Sequence, residues 1–317
     1  MNAQAVRGRF APSPTGALHL GNLRTALLAW LFARKAGGSF VLRVEDLDIP
    51  RVRPHATSKM LDDLVWLGLD WDEGPGIGGP FGSYFQSARH AMYEAALAHL
   101  REQNLIYPCY CSRAKLHRLA SAPQLGEDAP HYPGTCRNLT SEERRKRESA
   151  GERASLRFRA PETPIRFIDT ISGEQFEPVA DVVGDFVVQR SDGIIAYQLA
   201  VVVDDALMGI SQVVRGADLL GSTARQLALY DAMGYPRPRE YAHVPLLYDM
   251  SGERLAKRDA SEGLEQVRNS GISSEHVLGA LAASAGFWSV GMPATIHELL
   301  ASFDVAQLRN TTYSLVV

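Results

Sequence analysis

The stretch Arg9-Phe10-Ala11-Pro12-Ser13-Pro14-Thr15-Gly16-Ala17-Leu18-His19-Leu20-Gly21-Asn22 decides the fold, because it joins a short strand at 7–11 to a helix. Apolar residues recur on one face of the chain after Asn22, which predicts the helix, and Gly37-Gly38 ends it. A second apolar strand follows at 40–44. Strand, helix and strand in so short a span form a βαβ unit, which predicts a parallel sheet with a right-handed crossover.

The turn at 12–16 and the start of the helix have the chemistry of a phosphate site. In a parallel α/β sheet, ligands bind at the carboxyl ends of the strands, where free N–H groups of a helix N-terminus attract anions. Gly21 allows a nucleotide to approach the backbone closely, and His19 offers a donor for charge that develops on a phosphate oxygen. A lone histidine is more often an ordinary surface or core residue, but its position between strand and helix favours a site.

The composition is that of a globular protein without an overall basic charge. The 317 residues are 45% hydrophobic, and 33 Lys and Arg oppose 36 Asp and Glu, for a net charge of -3. Any RNA would therefore have to meet a local basic face. The small, odd number of three cysteines argues against a disulfide framework. Residues 1–10 lack the apolar core of a signal peptide. The longest apolar run, at 26–33, is too short to span a membrane. We expect a cytosolic protein with no membrane partner.

Several further elements are predicted along the chain. Helices are expected at 57–67, 88–103, 274–285 and 295–303, and apolar strands at 185–188 and 194–203. The charged run at 141–153 is typical of a solvated helix with ion pairs. Gly74-Pro75-Gly76-Ile77-Gly78-Gly79 has the letters of a dinucleotide-binding motif, but it neither follows a strand directly nor opens a helix. We interpret it as a loop and exclude a nicotinamide dehydrogenase.

Four segments resemble the class I aminoacyl-tRNA synthetases in their glutamyl and glutaminyl form. Arg9 to Gly16 followed by His19-Leu20-Gly21-Asn22 is similar to the family's signature, and Arg43-Val44-Glu45-Asp46-Leu47-Asp48 is similar to its acidic turn. Residues 67–75 and 84–87 resemble its next two blocks. The resemblance covers most of the chain.

The resemblance implies an α/β fold: a Rossmann-like parallel-sheet catalytic domain with a zinc-containing insertion and a small helical C-terminal part. The two halves of the catalytic domain would be 1–106 and 185–245, and the insertion would be 107–184. The lysine loop and the short helical region would occupy 246–317.

The resemblance also implies which residues bind the substrates. ATP, with Mg²⁺, would contact the catalytic His19 together with Gly21 and Asn22. The glutamate pocket would be lined by Arg9, Phe10, Ala11, Pro12, Ser13, Glu45, Tyr197 and Arg215. Glu45 would hold the ammonium group and Arg215 the side-chain carboxylate, which suits the two parallel donors of a guanidinium. A structural ion pair is the alternative for Arg215, but its place at the end of an apolar strand favours the site.

A second family motif, a mobile loop whose lysine neutralises the ATP phosphates, corresponds to Arg254-Leu255-Ala256-Lys257-Arg258. Arg254, Ala256 and Arg258 depart from the family's pattern, and without the preceding blocks this would be read as a basic surface loop. Charge neutralisation and positioning dominate transfers at phosphorus, which is the role expected of Lys257 as a catalytic, ATP-binding residue.

The three cysteines fall in one region, Cys109-Tyr110-Cys111 and Tyr132-Pro133-Gly134-Thr135-Cys136. Structural zinc takes four ligands, often from closely spaced cysteines. Chemistry alone suggests His131 or His117 as the fourth ligand, whereas the resemblance implies Tyr132. Three free thiols in a reducing compartment are the alternative.

The sequence ends at Val317, soon after the lysine loop, where glutamyl-tRNA synthetases continue into anticodon-binding domains. A catalytic core of this kind resembles the glutamyl-Q tRNA(Asp) synthetase family. The resemblance implies that L-glutamate is activated with ATP and passed to queuosine in the anticodon loop of tRNA(Asp). The alternatives are a truncated conventional glutamyl-tRNA synthetase that charges the tRNA 3′ end, and an inactive RNA-binding relative. We expect a monomer.

Overall fold

Two sheets form the framework of the computed structural model, which describes residues 5–112, 131–247 and 263–310. The larger has six strands in the order β2-β1-β8-β9-β5-β6, and the smaller has three in the order β3-β4-β7. The strands are β1 (Arg7–Phe10), β2 (Ser39–Leu42), β3 (Ile106–Cys109), β4 (Ser155–Phe158), β5 (Ile165–Asp169), β6 (Gly173–Glu177), β7 (Phe186–Gln189), β8 (Gln212–Gly216) and β9 (Glu240–Val244).

The predicted parallel sheet is confirmed. β1 pairs in parallel with β2 and with β8, and β9 pairs in parallel with β8 and with β5. Only β6, which forms an antiparallel hairpin with β5, departs from this direction within the larger sheet of the described residues. The carboxyl ends of β1, β8 and β9 therefore lie side by side, although they are distant in sequence.

The helices are α1 (Leu20–Lys35), α2 (Ala56–Trp66), α3 (His90–Glu102), α4 (Ser141–Ser149), α5 (Val179–Val182), α6 (Tyr197–Leu207), α7 (Leu220–Ala232), α8 (Gly263–Asn269), α9 (Ser274–Ser284) and α10 (Ile296–Ser302). Short 3-10 turns occur at Ile49–Arg51, Gln86–Ala88, Ala217–Leu219 and Val305–Asn310. α4 buries none of its side chains, as the charged run predicted. Within the described ranges, no helix combines the length and the apolar character needed to span a bilayer.

The strand predicted at 194–203 is wrong, because most of this segment belongs to helix α6. Its residues from Leu199 to Val203 are all buried, and the helix packs against α3, α7 and β7. A helix that is enclosed on every side loses the apolar and polar alternation that reveals its period. A short continuous apolar run then looks the same as a buried strand.

The C-terminal helices pack on α1 and share its core. Phe303, just after α10, meets Phe32 edge-on with ring centroids 5.3 Å apart. The buried Arg24 Nη1 donates to the carbonyl of Ser284 at 3.0 Å. α1 is therefore covered on both sides, which explains why ten of its residues are buried where the sequence predicted one apolar face. The predicted domain boundaries stay predictions.

Two consecutive carboxylates near the end of α6 are buried among arginines. Asp204 accepts from Arg89 Nε at 2.6 Å and from Tyr93 Oη at 2.9 Å. Asp205 accepts from Arg43 Nη1 at 2.7 Å and from Arg9 Nε at 3.2 Å. These contacts tie β1, the end of β2 and the start of α3 to one helix.

We predict that Arg89→Met destabilises the protein by about 3–5 kcal/mol, because the change removes one partner of a fully buried ion pair and leaves Asp204 undercompensated. The free energy of unfolding in urea measures the effect. Arg166→Met is the matched control, since Arg166 pairs with Glu174 on the exposed β5–β6 hairpin, where a loss under about 1 kcal/mol is expected. Equal losses in the two variants would contradict the assigned role of the buried pair.

Candidate active site and metal centre

The carboxyl ends of β1, β8 and β9 and the start of α1 surround a cavity of about 360 Å³. Every predicted substrate residue in the described part of the chain lines it: Arg9, Phe10, Ala11, Pro12, Ser13, His19, Gly21, Asn22, Glu45, Tyr197 and Arg215. Lys257 lies outside the described residues. The sheet thus brings together side chains from segments that are separated by more than two hundred residues.

His19 caps the first turn of α1. Its backbone is extended (φ -83°, ψ 165°), and its Nδ1 accepts from the backbone N–H of Asn22 at 3.2 Å. Because Nδ1 is an acceptor, the neutral ring carries its proton on Nε2 and can donate from there. A Cβ on Gly21 would lie 3.0 Å from the His19 ring. Gly21 is therefore needed for the packing of His19 as well as for the approach of a ligand.

The acidic turn after β2 is built jointly by two of the family-like segments. The backbone of Val44 bonds to Tyr84 and Gln86, and the two Asp46 carboxylate oxygens accept from the Ser87 N–H and Oγ at 2.8 and 2.7 Å. These bonds place the neighbouring Glu45 at the cavity. Segment 84–87 thus holds the Glu45 turn in position through hydrogen bonds to Val44 and Asp46, a role that resemblance alone did not suggest.

Glu45 is the anionic side of the cavity. Its Oε1 accepts from Arg43 Nη2 at 3.2 Å. Burial raises the pKa of the Glu45 carboxyl to about 7, although the charges of Arg43 and Arg9 oppose the shift. A ligand ammonium group beside it would favour the ionised form.

Arg215 is the cationic side. Its guanidinium is buried, and its described partners are neutral: Nη1 donates to Gln226 Oε1 at 2.8 Å and Nη2 to Thr223 Oγ1 at 2.8 Å. A longer bond of 3.4 Å joins Nη1 to Tyr197 Oη in the cavity wall. Because none of these partners is negatively charged, the buried Arg215 cation can still pair with an anionic ligand.

Sequence reasoning missed the residues that hold Arg215 in place. Thr223 and Gln226 lie on the buried face of α7, three positions apart, and such a polar stripe on an enclosed helix face was the available signal. It also missed Asp218 and Leu246, which line the cavity just after β8 and β9. Their positions after predicted or apolar strands could have marked them.

The three cysteines meet in a second, separate cluster. Their sulfur atoms lie within 4.8 Å of one another, and those of Cys111 and Cys136 are 3.8 Å apart. A tetrahedral Zn²⁺ with Zn–S bonds of about 2.3 Å holds its sulfur ligands about 3.8 Å apart. The cluster therefore fits a metal ion.

Tyr132, and not His131, packs with the cysteine cluster. Its Oη is 3.4 Å from Cys109 Sγ, close to the roughly 3.5 Å expected between sulfur and oxygen ligands of one Zn²⁺. His131 Nε2 instead lies 3.2 Å from the carbonyl of Ala180, and His117 is outside the described residues. Arg157 donates to Cys109 Sγ at 3.3 Å and stacks 3.8 Å from the centroid of the Tyr132 ring. The Arg157 guanidinium would partly offset the negative charge of the cysteine ligands in a metal-bound state.

The chain is similar throughout to known synthetases. The family described as tRNA synthetases class I (E and Q), catalytic domain, matches residues 5–315. Glutamyl-Q tRNA(Asp) synthetases of Symbiobacterium thermophilum and Nitratidesulfovibrio vulgaris are 56% and 52% identical, over 95% and 96% of this chain and 93% of each relative. The crystal structure of a glutamate-tRNA synthetase from Elizabethkingia anophelis superposes with a TM-score of 0.85 at 28% identity, over 99% of this chain and 68% of that one.

We predict that L-glutamate binding weakens about tenfold for each pH unit below 7, because protonation of Glu45 removes the charge that would hold the ammonium group. Isothermal titration between pH 5.5 and 8.5 measures this. Glu45→Gln should bind weakly and without this pH dependence; the same slope in the variant would assign the titration to another group.

We predict that Tyr132→Phe binds metal at least about tenfold more weakly, because it removes one ligand of the set. Competition with a chromophoric chelator measures the affinity for Zn²⁺. His131→Ala is the neighbouring control and should bind metal as the parent does. The reverse order of the two variants would make His131 the ligand.

Proposed function

The chain belongs to the class I tRNA synthetases of the glutamate and glutamine type, and we propose on this basis that it joins L-glutamate to AMP and passes the glutamate to queuosine in tRNA(Asp). The cavity supports the first step with one observation above others. The buried cation Arg215, held by neutral partners, lines the same cavity as the carboxyl group of Glu45 and as His19 at the start of α1. Glutamate has the complementary pattern of two carboxylates and one ammonium group.

The activation step follows from this arrangement. Glu45 binds the ammonium group, and Arg215 with Tyr197 binds the side-chain carboxylate. The α-carboxylate oxygen then attacks the α-phosphorus of ATP, and the bond from that phosphorus to pyrophosphate breaks. His19 Nε2–H and the N–H groups at the start of α1 stabilise charge on the phosphate oxygens, near Gly21 and Asn22. ATP would enter as its Mg²⁺ complex, and Lys257 is proposed to neutralise the charge of the departing pyrophosphate.

The wall formed by the first strand and turn completes the pocket. Arg9 Nη1 donates to the carbonyl of Val214 at 3.2 Å, which fixes β1 against β8 beneath the ligand. Phe10, Ala11, Pro12 and Ser13 follow directly along the same wall of the cavity, where they would contact the amino acid.

We propose that Cys109, Cys111, Tyr132 and Cys136 hold one structural zinc ion. The ion would stabilise the insertion at 107–184, whose own core is small. The insertion would face the tRNA, and the site takes no part in the chemistry of activation. The cysteine content supports a reducing, cytosolic setting, and we propose a monomer.

Queuosine is the proposed acceptor because both relatives named glutamyl-Q tRNA(Asp) synthetase are covered to 93% of their length at more than 50% identity. A second candidate acceptor is the 3′ end of tRNA, since the glutamate-tRNA synthetase structure superposes over 99% of the chain. In either case the acceptor attacks the carbonyl carbon of the adenylate, and AMP leaves.

Labelled glutamate offered to three RNAs tests the proposal. The RNAs are tRNA(Asp) with queuosine, the same tRNA without queuosine, and tRNA(Glu). We predict label on the first alone. Label on tRNA(Glu) alone would overturn the proposal in favour of charging at the 3′ end.

Exchange of pyrophosphate into ATP with glutamate, in the absence of tRNA, serves as the companion measurement. We expect exchange in the parent chain, and its loss in Lys257→Ala. The absence of exchange and of label with every RNA would overturn the proposed activity and favour a non-catalytic relative.

A further inference from the structure

Three adjacent strands of the large sheet each place one buried polar residue in a line behind the cavity. Arg215 on β8 is directly opposite His243 on β9, and Asp169 ends the neighbouring β5. Arg215 Nε lies 3.0 Å from His243 Nε2, and His243 Nδ1 lies 2.6 Å from Asp169 Oδ2. All three residues are at most 4% exposed.

The hydrogen-bond directions along this line are fixed by chemistry. A guanidinium Nε–H can only donate, so His243 Nε2 must accept, and the imidazole proton must be on Nδ1. Nδ1–H then donates to Asp169. The other oxygen of Asp169 accepts from the backbone N–H groups of Ile171 and Ser172 at 3.0 and 2.8 Å, which anchors the carboxylate.

The hydrogen bonds of Arg215 are shorter on the side of this line than on the side of the cavity. The bonds on the buried side, to His243, Gln226 and Thr223, measure 2.8 to 3.0 Å. The remaining bonds, to Tyr197 Oη and the carbonyl of Leu219, are longer at 3.4 and 3.3 Å, and both partners line the cavity. A carboxylate in the cavity could replace these two longer bonds, one on each terminal nitrogen, with two parallel charge-assisted ones.

We propose that His243 and Asp169 are positioning residues for glutamate selection: Asp169 fixes the Nδ1–H tautomer of His243, and His243 fixes the guanidinium of Arg215. The proposal rests on the proposed role of Arg215 in binding the side-chain carboxylate. An aspartate that sets the tautomer of a histidine acting on a third group has a precedent in serine protease triads.

This arrangement requires that His243 be neutral. A second ring proton would place an N–H group against Arg215 Nε and two cations side by side. Burial and the nearby charge of Arg215 lower the pKa of His243, against the opposing effect of Asp169. The ring therefore stays an acceptor for the arginine.

The test measures glutamate-dependent exchange of pyrophosphate into ATP for His243→Leu, His243→Gln and Asp169→Asn. His243→Leu removes the acceptor and should raise the KM for glutamate about 10- to 100-fold, the range expected for a lost hydrogen bond to a charged group, with the KM for ATP within about twofold. His243→Gln restores an acceptor oxygen and should recover most of the loss. Asp169→Asn frees the tautomer and should lie between the parent and His243→Leu.

Gln212→Leu is the matched control. Gln212 pairs with Glu240 on the same two strands, three residues before Arg215 and His243, and donates to its carboxylate at 2.8 Å. Its loss should lower the melting temperature and leave the KM for glutamate unchanged. A rise in the KM for both glutamate and ATP in His243→Leu, without rescue by His243→Gln, would make the role of His243 purely structural and overturn the proposal.

The Arg215→Ala variant distinguishes a failure of the positioning role from a failure of the proposed function on which it rests. An unchanged KM for glutamate in Arg215→Ala would refute the assigned role of Arg215, and the positioning role with it. A raised KM in Arg215→Ala together with an unchanged one in His243→Leu would keep the function and refute the positioning role alone.

Discussion

The buried pair Asp204 and Asp205 is the constraint on which the catalytic domain depends. Two adjacent carboxylates in the interior of a protein must be compensated, and the compensating cations come from three distant places in the chain: Arg9, Arg43 and Arg89. Replacing such a network with apolar residues can leave stability unchanged, so stability alone does not explain it. Its consequence is geometric. Arg9 also lines the cavity, and Arg43 donates to Glu45, which lines it too. The two aspartates of α6 therefore hold β1 and the Glu45 turn in place around the cavity.

Local patterns predicted the first βαβ unit and missed the long-range pairing of its strands. The strand at 7–11, the helix after it and the parallel sheet are confirmed, because each depends on residues that are near one another in sequence. The pairing of β1 with β8 could not be read in this way, since it joins residues about two hundred positions apart. The strand predicted at 194–203 was wrong for a related reason: burial from every side comes from distant elements and removes the helical period.

Sequence analysis predicted those site residues whose position in the sequence is distinctive by itself. Glu45 and Arg215 stand at strand ends and match family blocks, and both line the cavity. His243, Asp169 and Thr223 are ordinary when taken one at a time, and their value arises from distances that only the folded sheet defines. The cysteine cluster lies between these cases. Its members are close in sequence, but the distances that favour Tyr132 over His131 needed the structure.

Under the proposed function, the contrast between Arg9 and Arg215 gives one cavity a means to distinguish glutamate from its amide. Both guanidinium groups are buried, but Arg9 pairs with Asp205, whereas the described partners of Arg215 are a histidine, two neutral side chains, a tyrosine and a carbonyl. A buried charge without a counterion is unfavourable, and binding a carboxylate relieves that cost. An amide of the same shape brings no charge and would also set N–H donors against N–H donors. Selection for glutamate therefore depends on keeping acids away from Arg215, and a neutral histidine is an acceptor that meets this condition.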